Sequence, residues 1–439
     1  MSVNRVVVTE FGTIAQFPDP CKSLFQRFFS YFNPFYPMSD NTPVAIIPVQ
    51  DRLFACSETN ILNEFDLENL DTLEQVKLNE CMKIDSAAAH PHWEADGTVH
   101  GIGYCYKGGN TYTIFKVPPK IDSKGDFSQV QIVASIPAKN SYTPSYYHSF
   151  AMTENYYVFV EQPMKINLAK ILTAKYRGVP LVTCFDWYEN EKTQFHVLSR
   201  STGEPVNPGF TYQTDATCIL HHCNAYEEDG NIVMDVCAYD DAGLFEFAFV
   251  DTWNDPQKMK VHPWARINRY VLPVDLQLEE HLDDGLVSGN FRAKAKIDDN
   301  VVHCTVDDFS REVLLELPQI NYPAYSGKKY RYIYGMGSKE GHGEIHTLVK
   351  MDMETRRQLI WYEEDCYPSE PVFVQNPDSQ DEDGGVILSA VNSINDDVAP
   401  FLLVLDASSF NEIGRVKFPD VDRFVNDIHG IFRNEGAKK

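Results

Sequence analysis

A chain of 439 residues with 38 basic and 63 acidic side chains carries a formal charge of −25 at pH 7, which excludes nucleic acid as its main partner, because neutralising phosphates takes a basic face. The 43% hydrophobic and 13% aromatic shares, with 23 Tyr and 27 Phe, exclude disorder and suit half-buried pleated surfaces or a large apolar cavity. The ten cysteines form no C-x-x-C pair, no apolar run reaches the length of a membrane span, and the opening "MSVNRVVVTEFG" lacks a signal-peptide layout, so the chain reads as a reduced, cytosolic protein.

In chain order, "RVVVTEF" is read as a strand, and "PDPCKSLFQRFFSYFNPF" breaks the pattern that follows it. Pro20 stands at a first helical position, and the spacing predicts a helix over residues 20–35. That helix either packs on a sheet or lies at a membrane interface, with Phe25, Phe28, Phe29 and Phe32 in the bilayer and Lys22 and Arg27 at the headgroups. Cys21 at its head is a candidate for lipidation, and "MKINLAKILTAKYRG" (164–178) has the same mixture of residues.

Beyond it the runs "VAIIPV", "TYTIFKV", "VQIVASI", "YYVFVEQ", "QFHVLS", "NIVMDVCAY", "FEFAFV", "KYRYIYG", "RQLIWY", "PVFVQ", "GVILSAV" and "FLLVLDA" read as short strands. Roughly seventeen such runs occur in all, with little helical periodicity between them. Three stretches, "EADGTV" (94–99), "EEDGNIV" (227–233) and "DEDGGVI" (381–387), place Asp-Gly before a strand, the signal of a tight hairpin with φ > 0. Antiparallel hairpins in this number favour a propeller, with a tandem of sandwiches left open by the uneven spacing.

The thirteen histidines cannot all be functional. His90 and His221 each precede an acidic Asp-Gly hairpin at a similar interval, His148 stands before its own strand and His429 beside Gly430. These four span residues 90 to 429, so a shared site needs a closed architecture that brings distant strands to one axis. "HGEIH" (342–346) is not H-E-x-x-H, and the "TLVKMDM" after it reads as a strand. No Walker loop, dinucleotide fingerprint or nucleophile elbow occurs, so nucleotide, nicotinamide and serine-hydrolase chemistry lack support.

The stretches "VTEFGTIAQFPDPCKSLFQRFFSYF", "ACSETN", "AHPHWEADGTVHGIG", "PSYYHSF", "FVEQP", "HHCNAYEEDG", "LPQINY", "YPSEPVFV", "DEDGGVILSAV", "LLVLDA" and "HGIF" resemble, in order and over essentially the whole chain, the carotenoid cleavage oxygenases of animals. "TENYYVFVEQP" is most similar to the β-carotene branch, "YPSEPVFV" equally to the eccentric-cleaving branch, and the retinoid isomerohydrolases match more weakly. The resemblance implies an all-β, seven-bladed propeller under a helical dome, as one domain over residues 1–439. It implies Fe(2+) held by His90, His148, His221 and His429, with Glu58, Glu316 and Glu370 as outer carboxylates behind His148, His221 and His429 respectively. Phe11 and Ser57 are candidates for the lining of a substrate tunnel.

Gly-Pro-Gly and Phe-Asp-Gly segments that open the family are not found here, so the propeller is expected to be incomplete at its N-terminal blade. The implied activity is cleavage of a carotenoid C=C bond by O2, most of all β-carotene at its 15,15' bond to give retinal. Eccentric 9',10' cleavage, retinoid isomerohydrolysis and an iron-free carotenoid- or lipid-binding propeller stay open. Splitting C=C into two carbonyls supplies all four electrons that O2 takes up, so neither flavin nor nicotinamide is expected. The protein is expected to be cytoplasmic, with peripheral membrane association.

Overall fold

The computed structural model describes residues 40–106, 109–119, 127–177, 179–249, 252, 265–276, 286–309, 314–338, 346–424 and 428–433. The strand "RVVVTEF", the helix expected over 20–35 with Cys21, Phe25, Phe28, Phe29 and Phe32, the residue Phe11 and most of "HGEIH" lie outside the described residues. Two compact units divide the chain: Met1–Ser149 with Gln162–Glu189, and Phe150–Glu161 with Asn190–Lys439.

In the first unit, β-branched and aromatic residues in alternation build two antiparallel meanders. One runs Ala45–Val49, Arg52–Cys56, Ile61–Phe65 and Thr72–Lys77; the other runs Ser86–Ala87, Val99–Cys105, Thr111–Val117 and Gln131–Pro137, with His92–Trp93 added beside Val99–Cys105. Burial falls along each meander. Ala45–Val49 alternates buried and half-buried residues, whereas Thr72–Lys77 is almost wholly exposed. That gradient is what a propeller blade shows, with inner strands in the core and an outer strand in water. Phe54, Leu62, Ile84, Phe115 and Val117 fill the core between the meanders, each contributing about 1.5–3 kcal/mol by leaving water. "MKINLAKILTAKYRG" folds as a short strand, Met164–Ile166, and a helix, Leu168–Arg177, before Phe185–Trp187 closes a two-stranded ribbon.

The second unit holds four sheets. The first takes Ala151–Met152, Tyr156–Glu161, Thr193–Ser199, Thr211–Thr214, Val301–Cys304 and Ala295–Asp298. The second takes Cys218–Glu228, Asn231–Tyr239, Arg266–Pro273 and Asp307–Asp308, and the third Leu315–Gln319, Tyr332–Gly337, Thr347–Asp352 and Gln358–Tyr362. In the fourth, Cys366–Pro368 and Val372–Gln375 both pair with Gly385–Ser393, followed by Phe401–Asp406 and Glu412–Lys417.

Two blades in one unit and four in the other make six among the described residues, not the expected seven. Ala295–Asp298 and Val301–Cys304 extend an existing sheet, the latter in parallel with Thr211–Thr214, and Met164–Ile166 and Phe185–Trp187 form only the ribbon. "FEFAFV" is not a strand. Residues Gly243–Ala248 form a 3-10 helix.

Only one Asp-Gly site makes the tight hairpin expected of all three. Asp229 (φ 51°) and Gly230 (φ 75°) are the two loop residues between paired Glu228 and Asn231, the left-handed pair a type I' turn requires. At Asp96-Gly97 only the glycine is left-handed, in a five-residue loop. At 383–384 the chain instead makes a nine-residue loop between paired Gln375 and Gly385. Lys350 Nζ holds Asp383 there at 2.6 Å, and Glu382 accepts the N–H groups of Arg331 and Tyr332.

Candidate metal centre

In the first unit, Glu58 follows the end of the strand Arg52–Cys56, and His148 lies in the irregular stretch "PSYYHSF". That stretch has side-chain clamps where a ladder would otherwise hold it. Ser145 N–H donates to Tyr112 Oη (2.7 Å), Ser145 Oγ donates to Gln162 O (2.9 Å), and Gln162 Nε2 donates to Tyr146 O (3.1 Å). His148 Nδ1 then stands 2.5 Å from Glu58 Oε1, and Tyr146 donates its hydroxyl to the same oxygen at 2.6 Å. On the far side of the ring, His148 Nε2 is 2.9 Å from His90 Nε2, with ring centroids 4.5 Å apart.

The second unit repeats the device. His221 sits on the long strand Cys218–Glu228 where two register shifts, between Ile219 and His222 and between His222 and Asn224, mark bulges. Successive residues of a strand face opposite sides, so His221 is buried and His222 half-buried, and a bulge re-aims side chains further. His221 Nδ1 lies 2.6 Å from Glu316 Oε2, an oxygen that also accepts the Leu317 N–H, while Tyr239 donates to Glu316 Oε1 at 2.7 Å. Burial pushes the Glu316 carboxyl up, but His221, the Leu317 N–H and the Tyr239 hydroxyl together hold its pKa below the ordinary glutamate value. Burial beside that carboxylate raises the Tyr239 hydroxyl well above its usual value.

His429 adopts φ 55°, a left-handed conformation unusual for a residue with a Cβ. Glu370 holds the turn from both ends. Its Oε1 lies 3.1 Å from His429 Nδ1 and its Oε2 accepts the Gly430 N–H at 3.1 Å. Gln319 donates to Glu370 Oε1 at 3.1 Å, so the strand Leu315–Gln319 supports two glutamates at once. The rings of His221 and His429 lie 5.1 Å apart.

A carboxylate can only accept, so each of these three contacts assigns the proton to Nδ1 and leaves the lone pair on Nε2. This orientation is the one that outer carboxylates impose on metal-binding histidines. Two other histidines show the contrast. His100 and His196 meet Glu94 and Glu161 through Nε2, both at 3.0 Å, which occupies the nitrogen that a ligand would offer. The His90–His148 spacing also fits: cis ligands about 2.1 Å from one ion stand about 3.0 Å apart. Imidazole donors of this kind suit iron, zinc, copper or nickel.

The structure thus brings His90, His148 and Glu58 together in one unit, and His221, His429, Glu316 and Glu370 together in the other. Ser57, expected near a tunnel, is buried beside Glu58 and donates its hydroxyl to Asn41 O (3.2 Å). Tyr146, Tyr239 and Gln319 were not among the expected site residues. Tyr146 had a signal, since residues two apart on an extended chain share a face; Tyr239 had none.

Residues 10–434 match the family of the retinal pigment epithelial membrane protein. The chain belongs to this family. Among curated relatives, the beta,beta-carotene 15,15'-dioxygenase of Homo sapiens is 38% identical over 445 residues, covering 98% of this chain and 80% of that protein. The mitochondrial carotenoid-cleaving dioxygenase of Mustela putorius furo is 36% identical over 443 residues, with 98% and 80% covered. Of solved structures, lignostilbene dioxygenase from Pseudomonas brassicacearum superposes with a TM-score of 0.67 at 20% identity, covering 89% of this chain and 75% of that one. Cobalt-substituted Synechocystis ACO gives 0.67 at 19%, covering 88% and 73%. At such identities the likeness is one of fold, and this member of the retinal pigment epithelial membrane protein family is an all-β propeller, with six blades described. No helix among its described residues is long and apolar enough to cross a membrane.

Proposed function

We propose that this chain is an Fe(II)-dependent dioxygenase that splits a C=C bond of a carotenoid into two carbonyls, and that its substrate is β-carotene, cut at the 15,15' bond to give retinal. The observation that carries the reading is the triple His–Glu contact through Nδ1, in a chain that aligns over 98% of its length, at 37–38% identity, with proteins named beta,beta-carotene 15,15'-dioxygenase. In this reading His90, His148, His221 and His429 are the four ligands of one metal ion. Bound there, ferrous iron supplies the one-electron chemistry that lets dioxygen react with a closed-shell double bond.

The chain's own groups do the rest. Four neutral imidazoles add no negative charge, so the ion keeps its full +2, unlike a site with a carboxylate ligand. Glu58, Glu316 and Glu370 accept hydrogen bonds from the Nδ1 N–H groups, fix the ring planes and raise the basicity of Nε2. Both oxygen atoms end in product and both carbonyl carbons come from the olefin, so no reductant enters. An apolar tunnel, with Phe11 and Ser57 as candidate lining, would hold the rigid polyene and exclude water.

Relatives named carotenoid-cleaving dioxygenase match at 36–37%, and that near-equality keeps eccentric cleavage as a second reading. A lipophilic substrate suits a cytoplasmic protein that meets membranes peripherally. The carbonyl of Tyr142, a residue 82% exposed, accepts the Leu168 N–H at the start of the helix Leu168–Arg177, which carries half-exposed Leu172. Iron-loaded protein given β-carotene under labelled dioxygen should yield labelled retinal. Two products of unequal length, one longer and one shorter than retinal, select the eccentric reading, and β-carotene left intact with iron bound defeats both.

A further inference from the structure

We propose that Tyr146 and Tyr239 are positioning residues of the metal centre that act in opposite senses: Tyr146 restrains the donor strength of His148, whereas Tyr239 sustains that of His221. The inference rests on the metal-binding reading above and assigns a role to two hydroxyls that the reading leaves unused.

The difference lies in which carboxylate oxygen each tyrosine meets. At Glu58 both donors converge on Oε1, the Tyr146 hydroxyl at 2.6 Å and His148 Nδ1 at 2.5 Å, and the Tyr146 oxygen itself stands 2.9 Å from Nδ1. Three atoms close a triangle. Each hydrogen bond withdraws electron density from the shared oxygen and makes it a poorer acceptor for the other donor. The nearby phenol oxygen also diverts part of the Nδ1–H from the carboxylate. Without the hydroxyl, Glu58 would pull harder on the His148 proton, the ring would gain imidazolate character and Nε2 would donate more strongly.

At Glu316 the donors are divided. Tyr239 serves Oε1, while His221 and the Leu317 N–H serve Oε2. Here the tyrosine does not share the histidine's oxygen; it pins the opposite end of the carboxylate. Glu316 and Tyr239 are both buried, and a buried acceptor stripped of its donor is unfavourable. Removing the Tyr239 hydroxyl would therefore turn the carboxylate from its present plane and weaken its hold on His221 Nδ1.

Cobalt(II) is the probe, added to the whole 439-residue chain. Its d–d absorption reports ligand-field strength and a competing chelator reports affinity, neither of which needs turnover. Tyr146→Phe is expected to move the band to higher energy and tighten cobalt binding by a few-fold. Tyr239→Phe is expected to move the band to lower energy and weaken binding about tenfold, the lower end of what losing an outer partner costs. In a Glu58→Gln background the Tyr146→Phe effect should shrink, because both act through one oxygen and the neutral amide oxygen is a weaker acceptor. Shifts of the same sign, a silent Tyr146→Phe or additive effects of Glu58→Gln and Tyr146→Phe overturn the proposal. The two tyrosines lie in different units and phenylalanine keeps each ring, so misfolding of one variant still leaves the predicted sign at the other to be met or missed. Failure of the unsubstituted chain to bind cobalt overturns the metal reading and this inference together. Cobalt binding that ignores both tyrosines overturns this inference alone.

Discussion

Glu316→Gln separates a metal-supporting role from a merely structural one. The substitution keeps the shape and removes the charge. Glu316 accepts three hydrogen bonds, from His221 Nδ1 (2.6 Å), the Leu317 N–H (2.7 Å) and the Tyr239 hydroxyl (2.7 Å). A glutamine can present its oxygen to His221 and Leu317 and its amide group to the Tyr239 oxygen, so every contact retains a partner. What is lost is the ionic share, about 1 kcal/mol per bond when a charge-assisted bond of about 1.5–3 kcal/mol becomes a neutral one of about 0.5–1.5 kcal/mol. For folding, that loss is offset by no longer burying a charge, and the urea midpoint should move by less than about 1 kcal/mol equivalent. For the metal nothing offsets it, since the weaker pull on Nδ1 leaves Nε2 less basic. Iron retention should fall about 10–100-fold, or about 1.4–2.7 kcal/mol at 1.36 kcal/mol per decade. Chelator competition with metal analysis reads the first quantity and urea unfolding the second. Unchanged retention, or retention and stability falling in step, would refute the reasoning.

Two further outcomes follow from the packing and charges. A Cβ added at Gly335 would meet Leu315 Cδ2 at 2.6 Å and Glu316 O at 2.8 Å, so Gly335→Ala should destabilise the protein by about 1–3 kcal/mol and lower metal retention by displacing Glu316, read by urea unfolding and metal analysis on one sample. Asp352 is pushed up by burial but held below its ordinary 3.8 by Arg331 and by the Thr355 and Glu354 N–H groups. Its folded-state pKa being the lower one, its stabilisation is present above pH 3.8 and is lost as pH falls through the depressed value. Unfolding by urea between about pH 6 and 2 should show that acid limb, and Asp352→Asn should flatten it.

The strands were legible where short runs are rich in β-branched and aromatic residues: "TYTIFKV" and "NIVMDVCAY" are the strands Thr111–Val117 and Asn231–Tyr239 to the residue. "FEFAFV" is aromatic-rich as well, yet Gly243–Ala248 form a 3-10 helix, because such a pattern does not by itself choose a partner strand. Blade number was not legible, since whether Val301–Cys304 opens a sheet or joins Thr211–Thr214 in parallel is a long-range choice. In the site, the histidines and glutamates came from family resemblance. The bulges that aim His221 and the left-handed turn at His429 carry no local signature: neither Leu220-His221 nor Ile428-His429 is a bulge or turn dipeptide. Tyr239 reads simply as a core residue of a buried strand, and its bond to Glu316 links residues 77 apart.

X-ray absorption at the iron edge of the reconstituted protein, with the metal content measured on the same sample, reads the four-histidine centre directly. One iron per chain is expected, with a first shell of four imidazole nitrogens that falls to three in His148→Ala. A shell dominated by oxygen ligands, fewer than four imidazoles in the unsubstituted chain, or iron that His148→Ala leaves undisturbed would contradict the metal reading.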